Sequence, residues 1–122
     1  MILDTIKMEG TECDLNWIDV SGITDMNHLF VLRSGNDNDI ELMHNFNGNI
    51  SEWDVSNVKN MEMMFYRTRA FNGDISKWNV SNVKNMDGMF WGAHKFNCDI
   101  SKWDVSNVEE FSGMFISAKS FN

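Results

Sequence analysis

Any chemistry in this chain of 122 residues would have to come from three histidines, two cysteines and one run of carboxylates. His28, His44 and His94 share no ligand spacing with Cys13, Cys98 or each other, so neither a metal centre nor a histidine-activated nucleophile is expected. The run "NDNDIE" sets Asp37, Asp39 and Glu41 at alternate positions, where their oxygens could meet a calcium ion. The glycine and the distant bidentate glutamate of a calcium-binding loop are missing, so a solvated acidic loop is expected instead. Asn49-Ile50-Ser51 and Asn79-Val80-Ser81 are glycosylation sequons, which matter only on secretion. With no phosphate-cradling loop either, the expectation is a protein without cofactors that is not an enzyme.

The elements that would position any site are set by a repeat of period 25. "NISEWDVSNV", "DISKWNVSNV" and "DISKWDVSNV" begin at Asn49, Asp74 and Asp99, inside units Phe46–Ala70, Phe71–Lys95 and Phe96–Ser120. The last two units share 15 of 25 residues, and Phe121–Asn122 start a fourth. A fixed period of this size implies units that bury their apolar faces only against their neighbours. Ile75, Trp78 and Val80 have the L-x-x-L-x-L spacing of a leucine-rich repeat, so Trp78–Val80 is expected to be a short parallel strand. Trp53, Trp78 and Trp103 should then stack as a ladder, with a second, buried column of Asn57, Asn82 and Asn107. Val83, Met86, Met89/Phe90 and Ala93 recur every three or four residues and predict a short helix or 3₁₀ coil, with the methionines filling core gaps.

The chain therefore reads as one continuous α/β repeat solenoid, leucine-rich-repeat-like, with short parallel strands plus short helices in about four units. Residues 1–45 form an acidic, degenerate first unit with an inserted loop at about 31–45, because "DVSGITDMNHLF" aligns with "DVSNVKNMEMMF". Residues 46–122 hold three regular repeats and the start of a fourth. Cys13 and Cys98 fall in one column three units apart, roughly 14 Å at the usual strand spacing, too far for a disulfide.

"FNGDISKWNVSNVKNMDGMFWGA" resembles the BspA-like leucine-rich repeat of bacterial surface proteins and mycoplasmal lipoproteins, closely over about 46–122 and weakly over 13–30. The resemblance implies a leucine-rich-repeat-like solenoid used for protein binding or adhesion, with no catalytic residues to carry over.

Charge narrows the partner. The sequence carries a net −8, and residues 1–45 hold nine acids against Lys7 and Arg33, while residues 46–122 are nearly balanced. Direct nucleic-acid binding needs clustered Lys and Arg and is not expected. An acidic front suits a basic protein surface or simply solubility. "MILDTIKMEG" shows no signal peptide and no window approaches a membrane span, so a cytoplasmic location is expected.

Three surfaces are candidates for binding. On the strand face the outward positions are Trp17, Asp19, Glu52, Asp54, Lys77, Asn79, Lys102 and Asp104. Trp17 stands in the charged Glu52 column; either it is an exposed hot spot, or the first unit slips by one and Trp17 replaces the core tryptophan. The acidic loop offers Asp37, Asp39 and Glu41. Tyr66, Trp91, Ile116 and the bare Phe121 could support a homodimer or end-to-end oligomer. The function expected is non-enzymatic protein–protein interaction. The alternatives are an acidic inhibitor of viral or mobile-element type, blocking a basic nucleic-acid-binding surface, and a structural or adhesive repeat fragment that self-associates.

Overall fold

The computed structural model describes all residues, Met1–Asn122. It contains two α-helices, α1 (Ile2–Glu9) and α2 (Asp37–His44), both outside the regular repeats. From Phe46 onwards the chain is built of turns. The expected α/β solenoid of short parallel strands and helices is thus corrected: no strand or sheet forms. Pairing between units is confined to isolated parallel bridges at Asp14–Asn49, Asp25–Asn60, Asn60–Asn85 and Asn85–Glu110.

The polar residues of the repeat explain why no strand grows. Lys84 N donates to Lys59 O and Met61 N to Asn85 O, both at 2.8 Å, so Asn60 is paired on either side. Asn60 Oδ1 then accepts from Glu62 N, and Met64 N closes a β-turn on Met61 O, so the ladder ends after one residue. Asn, Asp and Ser satisfy the local backbone themselves and compete with a ladder. Trp78–Val80, the expected strand, lies between two turns, the second closed by Asn79, whose Oδ1 accepts from Ser81 N and Oγ.

The expected helix in the second half is a chain of β-turns. Tyr66 N and Thr68 N close turns on Met63 O and Phe65 O, while the alternate amides leave the unit altogether. Met61, Met63, Phe65 and Arg67 donate to Asn85, Asp87, Met89 and Trp91 of the next unit at 2.8–2.9 Å. An α-helix would need every one of those amides inside its own segment. The chained turns require left-handed backbone at fixed places. Met63, Gly88 and Gly113 have φ of 49°, 57° and 62°, and Arg67, Gly92 and Ser117 repeat this four residues on. Of 59 backbone hydrogen bonds only 8 lie within helices, so bonds in turns and between units hold the chain together.

Stacking the units at one period puts like side chains in columns. Phe30, Phe65, Phe90 and Phe115 stack at 5.3–5.6 Å; Phe46, Phe71, Phe96 and Phe121 stack beside them at 5.8–6.2 Å. Within a unit step the two columns touch, as in Phe90–Phe96 at 3.9 Å. Trp53 and Trp78 stack at 6.4 Å and 7°. Each core indole also donates backwards, Trp53 to Leu15 O, Trp78 to Ile50 O and Trp103 to Ile75 O, at 2.9–3.0 Å. Asn57 and Asn82 donate to Ser21 O and Ser56 O, but this column is solvent-exposed, not buried.

The two helices close the first unit. Ile6 of α1 is buried in the same core as Leu15, Val20 and Met26, with Ile2 and Leu3 packed against it. The expected acidic loop is in fact α2: Asn36 Oδ1 caps it by accepting from Asp39 N at 2.8 Å, and Met43 enters the core. Acids in a first helical turn meet the positive end of the helix dipole, which explains why this acidic stretch folds as a helix.

One buried hydroxyl is unpaired. Thr68 is fully buried and its Oγ1 has no partner, whereas the same column holds Ala93 and Ala118. Thr68→Val keeps the volume and removes that polar group, so it is expected to stabilise the protein by about 1–2 kcal/mol, read by urea denaturation.

Candidate functional site

The outward positions divide by what holds them. Asp19, Asp54, Asn79 and Asp104 are committed to their own turns, each accepting from the amide and hydroxyl of the serine two residues on. Trp17, Glu52, Lys77 and Lys102 stand exposed as the variable tips of one column. Trp17 is 61 % exposed, and Trp17→Ala is expected to change stability by no more than about 0.5 kcal/mol. A thermal melt that fell well beyond this would place its ring in the core.

The acids of α2 are partly occupied. Asp39 meets Lys7 of α1 at 3.1 Å, tying the two helices together, and Glu41 accepts from Asn45 Nδ2 at 3.2 Å. Tyr66 and Trp91 are half-buried and meet edge to face at 5.9 Å, with the Arg67 guanidinium 5.4 Å from the Tyr66 ring. Both cysteines are free, and burial pushes both thiols above their ordinary pKa, away from nucleophilic use.

Sequence reasoning missed a cationic corner. Arg67, Arg69, Trp91, Gly92, His94 and Ser117 line an open hollow of about 330 Å³. Residues 25 apart in adjacent units were the available signal, since Arg69, His94 and Lys119 share a column. Burial first, and then Arg69, holds the His44 imidazole below its ordinary value of 6.5; Glu41, 3.8 Å from Nδ1 and too far for a hydrogen bond, pulls the other way and loses. Burial and then Lys119 lower His94 likewise. Between the lowered folded value and 6.5 the unfolded chain binds more protons, so stability falls on acidification through that interval. Asp19, Asp54, Asp74, Asp99 and Asp104 act lower down: hydrogen bonds from serines hold each below 3.8, and that support is lost as pH falls further. Urea midpoints are expected to drop below pH 6.5 and again below pH 4. The first drop should shrink when His44 and His94 are both replaced by Gln.

Several apolar side chains of the last unit are exposed where their column counterparts are not. Val55 and Val80 are buried, but Val105 in the same column is 49 % exposed. Met61 and Met86 are buried, but Phe111 in their column is 65 % exposed, and Ile116 is 46 % exposed. Val105 and Phe111, with Met86, Ile100, Trp103 and Phe115, line a hollow of about 370 Å³, in which all but Ser101 of nine lining residues are apolar.

The family model described as "Mycoplasma protein of unknown function, DUF285" matches residues 5–122, from α1 through the last repeat. The chain belongs to that family. The match runs from within α1 through α2 and all the regular units. No curated protein and no solved structure matches the chain significantly. No helix is long and apolar enough to cross a membrane.

Proposed function

We propose that this chain is a non-enzymatic protein-binding module whose docking surface is the column of variable tips Trp17, Glu52, Lys77 and Lys102. The observation that carries the reading is the exposure of that column beside turns fixed by Asp19, Asp54, Asn79 and Asp104, with the Trp17 ring 61 % exposed in the first unit. A large aromatic ring held exposed on such a face is a hot-spot candidate. The resemblance to BspA-like repeats supports a binding role. The acids of α2 supply solubility more than recognition, since Asp39 is already paired.

The test is affinity capture of the tagged chain from lysate of its source cell, with nuclease, at low and moderate salt, using wild type and Trp17→Ala. One stoichiometric protein retained at moderate salt and lost with Trp17→Ala is the expected result. Retention unchanged by Trp17→Ala would remove the tip column as the site. Retention that collapses with salt and depends on Asp37 would instead favour the acidic-inhibitor reading.

A further inference from the structure

We propose that the cationic hollow on the regular units binds a small organic phosphate monoester, with Arg67 and Arg69 holding the phosphate and Trp91 flanking its organic part. None of the lining residues belongs to the tip column, so this site stands apart from the protein-binding reading.

The hollow is made by a side chain that one unit lacks. Arg67, Gly92 and Ser117 occupy one column of the repeat, and all three have left-handed backbone, with φ of 55°, 76° and 56°. Arg67 and Ser117 carry side chains there and Gly92 has none. A Cβ at Gly92 would stand 3.2 Å from Arg67 Cγ and press on it. The space of about 330 Å³ is of the size that holds small ligands, and more than a bare phosphate fills. Most of its wall comes from units stacked on both sides: Arg67 and Arg69 belong to Phe46–Ala70, and Trp91, Gly92 and His94 to Phe71–Lys95. Arg67 N donates to Trp91 O at 2.8 Å and Lys95 N to Arg69 O at 3.0 Å, so backbone bonds fix the arginines against the unit that carries the indole and the imidazole.

Charge selects an anion. Arg67, Arg69 and His94 line the hollow and no carboxylate does. The close ion pairs of the chain use the cationic groups of Met1, Lys7 and His44, and neither arginine is among them, although the chain carries a net −8. Arg67 lies over Tyr66, 5.4 Å from the ring centre, which steadies the guanidinium without neutralising it. After burial, the causes that hold His94 below its ordinary value are two cations, Lys119 and then Arg69. Cations facing one another without a counter-charge favour an anion between them.

The donor set narrows the anion further. Two guanidinium groups, the His94 ring and the Ser117 hydroxyl reach the hollow from three successive units, and so from three heights. A phosphate monoester presents three oxygens to such a set, and arginine takes two of them at once. A carboxylate presents only two oxygens, in one plane. Trp91, half-buried, is the apolar wall against which the organic part of the ester lies.

The test is a titration of the full ¹⁵N-labelled chain with phenyl phosphate, inorganic phosphate and benzoate, each at about 0.15 M ionic strength, followed by amide shifts and by calorimetry. Phenyl phosphate is expected to bind one-to-one and to move the amides of Arg67, Arg69, Gly92 and His94 and the Trp91 indole N–H. Its affinity should exceed that of the other two by about tenfold, since inorganic phosphate lacks the ring and benzoate the third oxygen. Arg69→Gln alters an exposed side chain and should weaken binding about tenfold by removing a charge-assisted hydrogen bond. Lys84→Gln makes the same change of charge outside the hollow and should leave binding as it was. Gly92→Ser keeps every charge, puts into the column the side chain that Ser117 already carries there, and should weaken binding by filling the space. Equal affinity for the three anions, or equal loss with Arg69→Gln and Lys84→Gln, would reveal only diffuse attraction and would overturn the site. Tightest binding of benzoate would overturn the phosphate as its ligand. Shifts that avoid the hollow, or no binding of phenyl phosphate, would overturn the proposal outright.

Discussion

Phe90→Ala is expected to destabilise the protein by about 3–5 kcal/mol, the usual cost of emptying a buried aromatic site. Phe90 is fully buried at the crossing of both aromatic columns, stacked on Phe65 and Phe115 at 5.6 Å each and on Phe96 at 3.9 Å. Its removal leaves a void between three rings that are each held by other rings, so collapse into the space is restricted. Aromatic pairs add roughly 0.5–1.5 kcal/mol beyond their buried area, which places Phe90 at the upper end of that range. A domain of this kind has only about 5–15 kcal/mol to lose, so the variant should be near its unfolding midpoint at modest urea. Phe111→Ala, by contrast, should move the urea midpoint by no more than about 0.5 kcal/mol equivalent. Equal losses at the two positions would mean that Phe111 is as well packed as the inner residues of the columns.

Trp78 is the second large effect, and two substitutions separate its causes. The ring stacks on Trp53 at 6.4 Å and its Nε1 donates to Ile50 O at 3.0 Å. Trp78→Ala should cost about 3–5 kcal/mol, as for any buried tryptophan. Trp78→Phe keeps most of the apolar area and loses the bond between units, so about 1–2 kcal/mol is expected. The same substitution at Trp103 tests the bond to Ile75 O at a site where no further unit covers the ring. If Trp78→Phe were neutral, the backward indole bond would be incidental to stability.

The candidate surface was only partly legible. The apolar outer residues Tyr66, Trp91 and Ile116 stood out in sequence, and the first two proved half-buried. Phe111 did not stand out, because it replaces Met61 and Met86 in a core column and reads there as one more core residue. Whether such a residue is covered depends on the unit beside it, which no residue pattern within a unit can register. The helix α2 was legible in principle: Asn36 as cap, acids in the first turn, and Ile40 with Met43 three residues apart. It was read as a loop because insertions into repeats usually are.

The period of 25 and the identity of the columns follow from the sequence alone. Like residues recurring at one interval must stack in register if each unit buries its face on the next, and Trp53 and Trp78 do so. The kind of backbone that carries those columns was decided only in three dimensions. Apolar residues three and four apart suit a helix, and they equally suit chained β-turns that advance by similar steps. The choice rests on where alternate amides such as Met63 N and Phe65 N find acceptors, and those acceptors, Asp87 O and Met89 O, belong to another unit. Hydrogen bonds between units therefore chose the turns over helix and strand, a choice that side-chain periodicity within one unit does not encode.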